Sequence, residues 1–285
     1  MPVAIVSDTC HYLLPEQVEQ QAIHEVSLYV HWDGETVRET DIRDYDAYYE
    51  RLRSSPELPT TSQPSIGDFL AVYEPLLADG ETEIVSIHLA GGMSGTVRSA
   101  EQAREQLGAA ASRVHVIDSA SACGGEGLLI LAAAAAARGG ADGAAVADRA
   151  RRARRELKMW FAIDTLEFLR RGGRIGGAQA WLGGALKIKP ILTVESEITP
   201  FERVRTSRRA FERMVDLLRE RAEAGADGWM VQHIQAPREA EELVERGRPL
   251  FGRDPVTVSE IGPVIGAHVG PGLLGVGGLP SSFLQ

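Results

Sequence analysis

The run Pro59-Thr60-Thr61-Ser62-Gln63-Pro64-Ser65 gathers hydroxyls and a carboxamide into one short stretch. Groups of this kind donate hydrogen bonds to an anion. Phe69, Val72, Tyr73, Leu76 and Leu77 follow at helical spacing, so the run is expected at a helix N-terminus, where unpaired N–H groups and the helix dipole favour negative charge. Ser65 with Asp68 three residues on forms a capping-box pattern, which accounts for Ser65 as a helix cap. One cap needs one hydroxyl. Thr60, Thr61, Ser62 and Gln63 are left to contact a ligand or to close a turn.

Two further polar centres have the same character. Gly91-Gly92-Met93-Ser94-Gly95-Thr96 lies between a strand pattern and a helical one. Its glycines let backbone N–H groups approach a ligand, although a plain N-cap would use Ser94 equally well. The segment nearly matches the nucleophile elbow G-x-S-x-G, with Thr96 in place of the last glycine, which counts against a hydrolase. In Gly262-Pro263-Val264-Ile265-Gly266-Ala267-His268-Val269-Gly270-Pro271-Gly272, His268 stands alone among glycines and apolar residues. It reads either as a core histidine or as a ligand contact, and no histidine has a partner at metal-ligand spacing. Gly270 to Gly275 formally matches G-x-G-x-x-G, but too little chain follows for a βαβ unit, so no dinucleotide cofactor is expected. Asp164 to Gly176 reads as a short helix stopped by Gly172, with Arg170 and Arg171 solvated and Arg174 free to turn toward an anion or an acid. No acid, base and nucleophile set emerges from these centres. They describe a binding site better than a catalytic one; the alternative is a serine acyl hydrolase or transferase with Ser94 as nucleophile and His268 as base.

The elements that must position these residues follow from hydrophobic patterning. Val3 to Ser7, Glu83 to Leu89 and Val114 to Asp118 are β-branched runs, each followed by a Gly/Ser/Thr-rich loop and then a helical pattern. That alternation predicts a parallel sheet flanked by helices, with ligands bound beyond the carboxyl ends of the strands. Asp8, Thr9, Ser94, Thr96, Asp118 and Ser119 are expected along that rim. After the basic stretch Arg149 to Arg155 come strand patterns at Met159 to Ile163, Ile191 to Glu195, Phe201 to Arg205, Trp229 to Ile234 and Val256 to Ile261, interrupted by a long amphipathic helix near Ser207 to Ala224. These predict a second α/β domain with a largely antiparallel sheet. The expected division is 1–158 and 159–285.

The 285 residues carry 44% hydrophobic and 25% charged side chains and a net charge of −10. That balance fits a globular protein and argues against a nucleic-acid partner, which needs a basic surface. The arginines at 149, 151, 152, 154 and 155 read as an exposed helix face, and form the one candidate for transient contact with a membrane surface or an acidic partner. Cys10 and Cys123 are too few for a disulfide framework or a thiolate metal site. Together with an N-terminus that reads as a first strand and not as a signal peptide, they suggest a cytoplasmic location. The apolar run Leu128 to Ala137 suits a buried helix, being about half a membrane span.

Taken in order, Ser7-Asp8-Thr9, Thr60 to Ser65, Ser94-Gly95-Thr96, Asp164 to Ile175, Lys189-Pro190-Ile191-Leu192 and Gly262 to Gly275 resemble the DegV family over essentially the whole chain. The resemblance implies two α/β domains with a long-chain fatty acid held between them. It implies no enzyme and no cofactor, but a binding subunit that presents the carboxylate to a separate fatty acid kinase, which makes the acyl phosphate used for phospholipid synthesis. By motif, the carboxylate would meet the hydroxyl of Thr61 or its neighbour Ser62, and that of Ser94. His268 and Arg174 would hold the headgroup or face the kinase. The chain departs from the family at Ala90 and Gly91, where serines are common, and at Cys10, where a hydroxyl is common.

Overall fold

The computed structural model describes residues 2–182 and 188–285, so of the N-terminal strand pattern only Met1 lies outside. The first half carries strands β1 (Val3–Asp8), β2 (Ile23–Val26), β3 (Tyr29–Trp32), β4 (Glu35–Arg38), β5 (Thr60–Ser62), β6 (Glu83–His88) and β7 (Val114–Asp118). Its helices are α1 (Pro15–Gln20), α2 (Tyr45–Ser54), α3 (Ile66–Leu77), α4 (Thr96–Gln106), α5 (Cys123–Arg138) and α6 (Gly143–Glu156). The second half carries β8 (Lys158–Ala162), β9 (Lys189–Glu195), β10 (Glu197–Val204), β11 (Gly228–His233), β12 (Thr257–Glu260) and β13 (Leu274–Leu279). Between them run α7 (Glu167–Arg171), α8 (Ser207–Glu223), α9 (Pro237–Phe251) and α10 (Pro263–Val269).

The expected α/β class holds. One sheet has the order β2-β1-β6-β7 and every pairing in it is parallel. Ile5, Val85, Ile87 and Ile117 pack from this sheet against the alanines of α5 and α6 on one face, while Val6, Ile84 and Val114 meet Phe69, Tyr73 and Ala103 of α3 and α4 on the other. Strands buried on both faces are uniformly apolar, which is why they stand out in the sequence. The alanine-rich α5 is buried along most of its length. Its small side chains let it sit close to the sheet. No helix among the described residues is long and apolar enough to cross a membrane.

A second sheet has the order β10-β9-β8-β13-β11-β12 and is antiparallel except for the β11–β12 pair. The amphipathic α8 and α9 cover one face through Phe211, Met214, Leu218 and Leu243. The opposite face, carrying Met159, Phe161, Leu192 and Met230, joins a core cluster with residues of the first half such as Leu28, Leu89 and Leu128.

A third, small sheet of order β4-β3-β5 is not among the sequence expectations. It revises the reading of the hydroxyl run: Thr60 to Ser62 are an antiparallel strand paired with Tyr29 to His31, and only Ser65 caps α3. Ser65 Oγ accepts from the Asp68 amide at 3.1 Å and the Asp68 carboxylate accepts from the Ser65 amide at 2.8 Å, the reciprocal bonds of a capping box.

Candidate functional site

Pairing β5 to β3 fixes where the hydroxyls point. Side chains alternate along a strand, so Thr61 shares a face with Val30, its register partner in the core, and Ser62 takes the other face. Ser62 Oγ bonds His31 Nε2 at 2.8 Å, and His31 Nδ1 bonds Thr36 at 2.8 Å. Thr61 Oγ1 instead lies 2.7 Å from Nε2 of His268, more than two hundred positions away in the chain.

His268 comes from α10, a short helix begun by Pro263 at its first turn. That helix is locked from below: Tyr49 donates its hydroxyl to the carbonyls of Ile261 at 2.6 Å and Gly262 at 3.0 Å, and Glu39 accepts from the Val264 amide at 2.8 Å. Gly172 lies so close to the imidazole that a Cβ there would overlap Nδ1. Burial, and secondarily the Arg174 guanidinium, holds the imidazole pKa down at about 4. The ring is therefore neutral at neutral pH, and its Nδ1 is buried without a partner.

Ser94 sits in the turn between β6 and α4, where Gly95 occupies the cap position without a side-chain bond. Its hydroxyl pairs with Thr96 Oγ1 at 2.8 Å. Glycine is required nearby, since a Cβ at Gly92 would meet the backbone of Ser196 at the β9–β10 turn, and one at Gly95 would lie 2.9 Å from the Gln63 amide nitrogen. Arg174, past the end of α7, is exposed and donates to the carbonyls of Gly172 at 2.8 Å and Met93 at 3.4 Å.

Thr61, Ser62, Ser94, Arg174 and His268, expected separately from sequence, line a single cavity with about 860 Å³ of space including its mouth. Gln63, left by the sequence reading as either a ligand contact or a turn residue, joins them. The remaining lining is largely apolar, including Met159, Phe161, Val194 and Met230 of the six-stranded sheet and Leu28, Leu89 and Met93 from loops of the first half. Nothing in the sequence motifs marks these side chains. Cys123 also lines the cavity, and burial, followed by the nearby Glu126, Glu39 and Asp8 charges, pushes its thiol pKa up and keeps it protonated.

Other expected rim residues are placed elsewhere. Of Asp8, Thr9, Ser94, Thr96, Asp118 and Ser119, only Ser94 lines the cavity. Asp8 is fully buried, accepting from the amides of Cys10 and Leu89 and from His88, so it holds the loops after β1 and β6 in place. Asp118 accepts from the Gly91 and Ala120 amides in the same manner. The arginine stretch is not uniformly an exposed face. Arg149 is half-buried, bonding the carbonyls of Ser282 and Phe283, and Arg154 reaches the carbonyls of Ala120 and Val194. Arg151, Arg152 and Arg155 are exposed. Among the described residues, no three His, Cys, Asp or Glu side chains gather as metal ligands would.

The hydroxyls do not form a catalytic pair. Ser94 is bonded to Thr96 and His268 to Thr61. The arrangement combines donors for an anion at a mouth with an apolar interior.

Residues 2–281 match the family model described as an uncharacterised protein of the DegV family. Protein DegV of Bacillus subtilis is 36% identical over 279 residues, covering 97% of this chain and 98% of the relative. The solved structure of DegV from Bacillus subtilis, described as a fatty acid binding protein, superposes with a TM-score of 0.87 at 35% identity over 98% of this chain and 99% of that one. A DegV family protein from Thermus thermophilus, whose structure is described for its fatty acid binding, gives a TM-score of 0.87 at 33% identity over 98% and 100% of the two chains. On sequence over nearly its full length, and on fold, the chain belongs to the DegV family.

Proposed function

We propose that this chain binds a long-chain fatty acid between its two α/β domains, 1–158 and 159–285, and presents the carboxylate to a separate fatty acid kinase. One observation carries the reading: an apolar cavity, lined by the six-stranded sheet of the second half and by loops of the first half, gathers Thr61, Ser94, Arg174 and His268 in its wall. Ser62 contributes to the wall, while its hydroxyl is engaged by His31. The described fatty acid binding of the Bacillus and Thermus relatives supports the same assignment. Exposed Arg151, Arg152 and Arg155 leave one basic face for transient contact with a membrane surface or an acidic partner.

The tail supplies the affinity. About 14 methylenes at about 0.8 kcal/mol each give roughly 11 kcal/mol of gross driving force, before the costs of association. A carboxylate leaving water is costly unless bonded, and charged hydrogen bonds return about 1.5–3 kcal/mol apiece. The polar residues therefore fix which end of the ligand stays at the mouth. Ser94 as a nucleophile is disfavoured by its bond to Thr96 and by the engagement of His268 with Thr61.

Extraction of the purified protein with organic solvent followed by mass spectrometry is expected to release a fatty acid. The stripped protein should rebind one and support acyl phosphate formation when a fatty acid kinase and ATP are added. A preparation that yields no lipid and binds none would overturn the binding reading; rebinding without acyl phosphate would overturn the presentation. Covalent labelling of Ser94 by a fluorophosphonate would favour the hydrolase instead.

A further inference from the structure

Strand β13 lies inside the six-stranded sheet between β8 and β11, yet Gly275, Gly277 and Gly278 make up half of its six residues. Glycine weakens a strand interior, and there it commonly marks a close approach by backbone or ligand. Alternation turns Leu274 and Val276 toward α8 and α9. Gly275 and Gly277 therefore face the other side, toward the cavity.

The two glycines have different reasons to be there. A Cβ at Gly277 would lie 2.7 Å from the Lys158 carbonyl and 2.8 Å from Met159 Cβ, so packing forbids it. A Cβ at Gly275 would meet only ordinary contacts, at 3.6 Å to the Gln232 carbonyl, 3.7 Å to Leu273 and 3.8 Å to Gln232 Cβ. Nor does Gly275 adopt a positive φ. Neither sterics nor backbone conformation requires glycine at this position. What its missing side chain leaves is cavity space: Gly275 stands in register between Phe161 on β8 and Gln232 on β11, and all three line the cavity.

We propose that Gly275 is a specificity-determining residue, a furrow across the sheet that admits the distal part of a long acyl chain. This rests on the fatty-acid reading of the cavity. The order along the strand gives the furrow its effect. β13 begins just after the loop that leaves α10 with His268, and Gly275 is its second residue. Met159 and Met230, which line the cavity opposite Gly277, lie one side-chain row further along. A chain anchored by its carboxylate at His268 crosses Gly275 before reaching the methionines. A side chain at 275 would act as a plug partway down, removing long chains and sparing short ones.

The test compares delipidated wild type, Gly275→Ala and Gly275→Val for binding of decanoate, tetradecanoate and octadecanoate by displacement of a fluorescent fatty acid. Each methylene that no longer fits should cost about fourfold in affinity. Gly275→Val is expected to weaken octadecanoate at least about tenfold while leaving decanoate within about twofold, with Gly275→Ala shifted in the same direction. Should valine prevent folding, judged by circular dichroism and thermal denaturation, alanine decides, because its methyl meets only ordinary contacts. An unchanged ratio of octadecanoate to decanoate affinity in a folded variant, whether both stay the same or both weaken equally, overturns the role of Gly275 alone. Wild type that binds none of the acids overturns the fatty-acid reading and Gly275 with it.

Discussion

Glu39→Gln should change the pH dependence of stability more than its value at any one pH. The Glu39 side chain is 3% exposed and accepts from Thr9 Oγ1 at 2.5 Å, the Tyr12 hydroxyl at 2.8 Å and the Val264 amide at 2.8 Å. Burial outweighs those bonds and raises its pKa from 4.5 to about 7. Between those values the folded carboxyl keeps a proton that the unfolded chain has released. Stability must then fall as pH rises. The gap between 4.5 and about 7 corresponds to about 3 kcal/mol lost between acid and mildly alkaline pH. Glutamine has no such proton, and its amide can accept from Tyr12 and Val264 on the oxygen while donating to Thr9 from the nitrogen. The stability of the variant minus that of wild type is therefore expected to rise by about 3 kcal/mol from about pH 4.5 to about pH 8. His268 contributes the opposite slope. Its folded pKa is depressed from 6.5 to about 4, so its contribution is fully present above 6.5 and is lost as pH falls through that window. In wild type the two slopes offset each other; Glu39→Gln unmasks that of His268. Urea unfolding of both proteins across this range measures the difference directly. A difference that stays constant with pH would refute a buried, proton-retaining Glu39.

Two other perturbations test the site and its support. Ser94→Ala should cost about 0.5–1 kcal/mol of stability, since its hydroxyl accepts from the first amide of α4 at 3.3 Å, while weakening fatty-acid binding about tenfold through one lost charged hydrogen bond; isothermal titration that shows unchanged affinity would remove Ser94 from the headgroup site. Gly266→Ala would place a methyl on the Tyr49 ring and hydroxyl that anchor α10, and overpacking of that kind costs about 1–3 kcal/mol. Denaturant unfolding should show that loss together with weaker ligand binding, because His268 rides on the same helix.

The parts of the fold legible in the sequence are those whose burial leaves a compositional mark. Ile84 to Ile87, interrupted only by Ser86, and Trp229 to Val231 are buried on both faces and read as largely apolar runs. β13 is equally buried and central, but Gly275, Gly277 and Gly278 erase its strand signature, and the segment just before it reads as a failed dinucleotide motif. The β3–β4 hairpin does carry a signal: Asp33-Gly34 with φ of 51° and 81° is a two-residue hairpin turn between strand-forming residues. Strand β5 carries none, because its pairing to β3 comes from about thirty residues away and three small polar residues have no local strand pattern. The candidate site divides in the same manner. Its polar members sit in compact motifs, whereas Met159, Val194 and Met230 look like any core residue until the six-stranded sheet faces the loops of the first half.

Counting hydrogens at the mouth shows why its residues suit a passive anion site. A carboxylate only accepts. His268 is neutral, so it carries one N–H, and Nδ1 is buried without an acceptor. The proton is best placed on Nε2, where it can be donated to Thr61 Oγ1 across 2.7 Å. Thr61 is then free to donate its own hydrogen to a ligand. In the Ser94–Thr96 pair one hydroxyl donates to the other, and Thr96 is the fully buried member. If Thr96 donates, the hydrogen of Ser94 is left for the cavity. The cavity wall thus offers two hydroxyl donors already held by hydrogen bonds, and the Arg174 charge lines the same cavity. In the same arrangement His268 does not face Ser94 as a base, since a general base must present a lone pair to its nucleophile and Nε2 is turned to Thr61. Here the Nε2 of His268 is spent as a donor to a different hydroxyl.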